Sequence, residues 1–216
     1  MSDPVTDPRG GLLHFDCPAG IAGDMTVGAL VDLGVPEEVI RAALSSLPVT
    51  GYHVAFEKVK RGALVGTKFR VRIDADHHVH EEHHHAHEER HHVHDADHHV
   101  HEAHHHAHEH DAPHHHHHHD HHHYADIRAM IVAAPLSAGT RERALAIFDR
   151  IAAVEAKIHG VPVAEVAFHE VGAIDSIVDI VATAAALDWL RPARVSSRTV
   201  AVGHGQVKTA HGLLPV

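Results

Sequence analysis

The apolar and polar positions divide the chain into three stretches. In residues 12–73 and again in 124–216, apolar residues recur with the periods of strands and helices, whereas between them that pattern vanishes. "LLHF" predicts a short buried strand ending at Asp16, and "CPAGIAG" follows as a loop. The apolar stretch 25–33 predicts a helix closed by Gly34, and "PEEVIRAALSSL" predicts a second helix with Pro36 in its first turn. "YHVAFEKVKR" and "KFRVRID" alternate, predicting two strands paired across an irregular connection near Gly62 and Gly66. Further on, "YADIRAMIVAA" and "RERALAIFDRIAAVEAKIHG" carry helical spacing, the second stopped by Gly160 and Pro162. "AFHEVG" predicts a strand or loop, "AIDSIVDIVATAAALDWL" a strongly apolar helix, and "VSSRTVAVG" a strand. The fold expected is a single α/β (or α+β) domain, a mixed sheet with packed helices. Residues 11–73 and 124–216 form its two parts, and residues 74–123 are an insertion.

The insertion holds 27 of the 33 histidines, and its apolar side chains are three valines and a few alanines. Burial that small does not offset the entropy of ordering about fifty residues, so disorder is expected. "DADHHVHEEHHHAHE" recurs 21 residues later as "DADHHVHEAHHHAHE", a tandem copy that argues against a fixed geometry. The six-histidine run is internal and continuous with the other histidines, unlike a purification tag. Imidazole nitrogens suit nickel, zinc and copper, and a flexible chain wraps them around an ion without a preformed cage. The metal candidates are His83, His84, His85 and His87, their repeats His104, His105, His106 and His108, then His114, His115, His116, His117, His118, His119, His121, His122 and His123.

Charge follows the same division. Twelve acids and one arginine in the insertion account for the whole formal charge of −11, and the remaining 166 residues balance. No basic patch argues for nucleic acid or an anionic membrane. Cys17 is the only cysteine, so an intrachain disulfide framework is excluded. "MSDPVTDPRGG" lacks the regions of a secretory signal, and no apolar run is long enough to span a bilayer. A cytoplasmic protein is expected.

Three further constellations carry chemistry. In "FHEVGAIDSIVDI", His169 and Glu170 are adjacent, while Asp175 and Asp179 share one helical face amid apolar neighbours. Like charges so placed repel, and burial raises the cost, so a cation or basic partner is called for unless the face is solvated. In "FDCPAGIAGDM", Asp16 and Asp24 bracket Gly20 and Gly23, whose missing side chains let backbone approach a ligand, or simply turn the chain. The glycine spacing is neither a dinucleotide fingerprint nor a Walker loop. Cys17 beside them is a thiolate candidate of lower rank. In "VGHGQVKTAHGLLPV", His204 and His211 flank a strand-like segment, a weak signal alone.

Together "FDCPAGIAGDM", "FHEVGAIDSIVDIV", "ALDWL" and "AHGLLPV", with a histidine-rich insertion after the first, resemble the nickel-insertion protein of the lactate racemase maturation system. The likeness runs from Leu12 to Val216 and includes "KVKRGALVGTKFRV" and "YADIRAMI". It implies a cytoplasmic lyase, a nickel chelatase. Such an enzyme delivers nickel to pyridinium-3,5-bisthiocarboxylic acid mononucleotide to form the nickel-pincer cofactor. The family consumes a cytidine nucleotide, whose site is expected outside this chain, in a nucleotide-associated domain beyond "HGLLPV". A separate C-terminal half or a homo-oligomer is the expected partner. Asp16, Asp24, His169, Glu170, Asp175 and Asp179 are the candidate catalytic residues, and Gly20 and Gly23 the cofactor-binding ones. The rival is a passive nickel or zinc store in which the folded part only carries the histidines, but a store needs neither the carboxylates nor the glycine loops. A third reading, a pH-responsive linker, follows from the histidine content alone.

Overall fold

The computed structural model describes residues 7–74, 122–168, 173–209 and 212–215. The described elements are β1 (Leu12–Phe15), α1 (Gly23–Asp32), α2 (Glu37–Ser45), β2 (Tyr52–Arg61), β3 (Leu64–Ile73), β4 (His122–His123), α3 (Tyr124–Ala133), α4 (Ala138–His159), β5 (Ala167–Phe168), α5 (Ile174–Leu190), β6 (Arg194–Ser197), β7 (Gln206–Thr209) and β8 (Gly212–Pro215). The mixture of helices and strands is α/β, as expected. The single mixed sheet is not: among the described residues the strands form four two-stranded sheets. β1 pairs with β6 in parallel, and β2–β3, β4–β5 and β7–β8 are antiparallel. Helices, not strands, fill the middle of the molecule.

Local sequence explains each element. β2 and β3 are joined by the two residues Gly62 and Ala63, with Arg61 opposite Leu64. Only Gly62 takes positive φ there, +61°, the pattern of a type II′ hairpin turn. The connection is therefore tight, correcting the irregular one expected, and β3 begins earlier than the sequence suggested. On α4 the buried residues Thr140, Ala144, Phe148, Ala152 and Ala156 recur every fourth position, one continuous stripe. Gly160 ends that helix in the left-handed conformation at φ +67°, where a glycine has no Cβ to clash.

α5 is the central element. Ile177, Val178, Val181, Ala182, Ala184, Ala185, Ala186 and Leu190 are all buried, and the alanines let α4 lie close. α1 crosses β3 with similar intimacy: a Cβ at Gly28 would collide with the Thr67 carbonyl oxygen. Residues from both sides of the histidine insertion join one core, including Val27, Leu30, Ile40 and Phe69 from before it and Ile131, Phe148, Phe168 and Val181 from after it.

The insertion itself lies outside the described residues at 75–121, but its edges do not. Asp74 donates its N–H to the Gly51 carbonyl at 2.9 Å. His122 and His123, which sequence reading assigns to the insertion, form β4 opposite Phe168 and Ala167. Backbone pairing overrides composition at that edge.

Candidate functional site

The carboxylates gather where two helices begin. α1 starts at Gly23 with Ala22 at its N-cap, so no side chain of its own caps it. The first N–H groups of a helix have no partner within it, and its N-terminus is partially positive. Asp179, one turn into α5, faces that N-terminus, and the Asp24 backbone N–H beside its carboxylate favours the charged form. A Cβ at Gly23 would lie 2.6 Å from the Asp179 Cβ and overlap its carboxylate, so only glycine permits this contact. Asp24 bonds its own helix through Met25 N at 2.8 Å, and Asp175 does the same at the start of α5 through Ser176 N at 2.7 Å.

Compensation stops there. Asp179 is half-buried and its Oδ1 is inaccessible, with no hydrogen-bond partner. Burial, then the nearby charges of Asp24 and Asp175, push its pKa up to about 7, outweighing the Asp24 N–H that favours the charged form. Near neutral pH the corner therefore exchanges a proton readily. Among the described residues no three His, Cys, Asp or Glu side chains are arranged to close around a metal ion. The corner is an open set of oxygen donors rather than a formed cage.

The other described candidates have contacts of their own. Asp16 follows β1, is exposed, and lies 3.9 Å from Arg198. Gly20 has φ +89°, and a Cβ on it would meet the Ala201 carbonyl at 3.1 Å. The close approach that glycine permits at Gly20 and Gly23 is thus to protein groups. Cys17 is buried and free. His14, which the sequence reading did not single out, meets Ser196 Oγ at 3.0 Å across the β1–β6 ladder. His204 is exposed, while His169, Glu170 and His211 lie outside the described residues, as do all the metal-candidate histidines except His122 and His123.

Sequence reasoning missed a third carboxylate on α5. Asp188 accepts from Ser137 Oγ at 2.6 Å and from Arg143 Nη1 at 3.1 Å, holding the N-terminus of α4. Its only signal was an acid in the apolar run "ALDWL". A groove of about 450 Å³ opens beside it, lined in part by Arg9, Ser46, Trp189 and Arg191. That groove is at the far end of α5 from Asp175 and Asp179, and none of the sequence candidates lines it.

Comparison with known proteins gives the chain its relatives. The family described as nickel insertion protein matches residues 13–216. A Geobacter metallireducens protein, provisionally named a nickel insertion protein, is 43% identical over 207 residues, 95% of this chain and 42% of the relative. A similarly named Geobacter sulfurreducens protein is 42% identical over 207 residues, with the same shares covered. The pyridinium-3,5-bisthiocarboxylic acid mononucleotide nickel insertion protein of Geobacillus kaustophilus is 43% identical over 209 residues, again 95% of this chain and 42% of the relative. The chain thus spans less than half the length of these relatives. No solved structure matches.

Proposed function

The chain belongs to the nickel insertion protein family, and from that premise we propose that it gathers nickel and passes it to pyridinium-3,5-bisthiocarboxylic acid mononucleotide. That compound is the one named for the Geobacillus relative. Nickel is the cargo, and the product holds it between two sulfurs and a carbon, so the activity is that of a chelatase of the lyase class. The polypeptide that accounts for the rest of the relatives' length takes part in the complete reaction.

Two regions divide this work. The histidine segment offers many imidazoles of modest affinity and raises the local nickel concentration. The carboxylate corner then presents the ion to the substrate. Asp179 carries this reading: a half-buried carboxylate with an unpartnered oxygen, held beside Asp24 and Asp175. A divalent cation displaces its proton and supplies the charge that the protein withholds. Carboxylate oxygens are harder donors than sulfur, so an ion held by them passes readily to a dithio acid. The pairing of β4 with β5 supports the same reading, since it ties the end of the histidine segment beside the strand that leads in the chain to His169 and Glu170.

Complementation of a strain lacking the native protein, with nickel bound per chain measured alongside, tests the division. Asp179→Asn is expected to abolish cofactor formation while leaving bulk nickel capacity nearly unchanged. Removing residues 75–121 is expected to do the opposite, lowering capacity while activity returns when nickel is abundant, by mass action. Full activity of the Asp179→Asn protein would remove the carboxylates from the reaction. Loss of activity at every nickel level on removing residues 75–121 would give the segment more than a gathering role.

A further inference from the structure

No described residue after Leu190 is buried. This stretch nevertheless contains three of the eight described strands, β6, β7 and β8. Such an arrangement is physically incomplete. Parallel strands ordinarily have both faces covered, yet β1 and β6 make a sheet of two, with Leu12 80% and Val195 51% exposed. An isolated two-stranded hairpin is marginal in water. β7 and β8 form one whose apolar cross-strand pair, Val207 and Leu214, faces solvent, and Leu213 is 61% exposed. Unpaired strand edges are templates for further strands.

The charge of this stretch is as one-sided as its exposure. Residues 191–215 contain Arg191, Arg194, Arg198 and Lys208 and no acid. The relatives are 39–43% identical to nearly all of this chain, yet this chain covers only 42% of each, so they carry more than as much again of additional polypeptide. That polypeptide needs a surface to pack on.

We propose that residues 191–209 and 212–215, with the exposed edge of β1, are the docking surface for this additional polypeptide. It extends the β1–β6 ladder with a strand of its own, covers Leu12, Val195, Val207, Leu213 and Leu214 with apolar side chains, and sets carboxylates opposite Arg194 and Lys208. The inference rests on family membership and not on the carboxylate corner, and association can be measured without nickel.

The test uses this full chain and, as a second polypeptide, the part of the Geobacillus kaustophilus relative outside its match. Size-exclusion chromatography with light scattering and amide hydrogen exchange are the readouts. A one-to-one complex is expected, with exchange in β1, β6, β7 and β8 slowed at least tenfold. Because Val195 and Leu213 are exposed, Val195→Glu and Leu213→Glu are expected to weaken association at least tenfold while leaving the melting of the helical core unchanged. No complex, or protection confined to other elements, overturns the proposal. Self-association of this chain that protects the same strands also overturns it, assigning the surface to a second copy.

Discussion

Asp179 and Asp188 are nine residues apart on one helix, about 13 Å along its axis. Each sits at the start of a neighbouring helix, against a glycine whose Cβ would strike the carboxylate: Gly23 of α1 for the first, Gly139 of α4 for the second. The resemblance ends with their partners. Asp188 is held by two hydroxyls and a guanidinium. Asp179 has one backbone N–H, an orphaned oxygen and two carboxylates for company. A buried acid that caps a helix needs only the first arrangement. The second leaves unfavourable electrostatics in place, as proteins do where a ligand or proton is to be handled.

Adding one methyl group at each glycine should separate the two corners most sharply. Gly23→Ala is expected to cost about 3 kcal/mol, since the Asp179 Cβ would lie 2.6 Å away and no side-chain rotation relieves that clash. Gly139→Ala should cost less, roughly 1–2 kcal/mol, because the atoms in its way are the ends of the Asp188 and Arg143 side chains, which can swing aside at the loss of their hydrogen bonds. Urea unfolding of both variants checks the order, and equal losses would erase the distinction.

Neutralising the acids should move stability in opposite directions. Asp188→Asn is expected to destabilise by about 2 kcal/mol, leaving Arg143 without its counter-charge. Asp179→Asn at pH 8 should stabilise by about 1 kcal/mol, since the amide keeps the shape of the side chain while the desolvated charge and its repulsion from Asp24 and Asp175 are gone. Destabilisation by both would make Asp179 a second structural cap.

The pH dependence follows from the same corner. The folded-state pKa of Asp179, about 7, lies above its ordinary 3.8, so between those values the native state holds a proton that the unfolded chain has released. Its contribution is therefore favourable in acid and is lost as pH rises from about 4 to 7. Allowing for its partial exposure, the loss is on the order of 1 kcal/mol. Comparing unfolding at pH 5 and pH 8 should show this difference in the wild type and not in Asp179→Asn. The smallest effect is expected at Asp175→Asn, within about 0.5 kcal/mol, since that side chain is exposed and, among the described residues, bonds only its own turn.

Much of this was legible beforehand. β1 and β2 match their predicted spans, and the helices start and stop near the glycines, prolines and apolar repeats that marked them. The four-residue spacing of Asp175 and Asp179 and the call for compensation came from the same reading. The glycine loop marks Asp24 as a candidate, but its place beside Asp179 joins residues 155 positions apart, and no local period encodes that. Asp188 went unnoticed because a single acid in an apolar run looks the same whether a guanidinium awaits it or not.

Sequence alone therefore determined the helices and strands, the neutral frame around an acidic histidine tract, and the family. Those depend on neighbours within a turn or two, or on residue identities that relatives share. Tertiary structure decided that the strands separate into four pairs, that His122 and His123 close against β5, and which aspartate of α5 is left uncompensated. Each of these depends on which distant groups meet, and burial with partner geometry sets the energy of a polar group far more than its place in the chain.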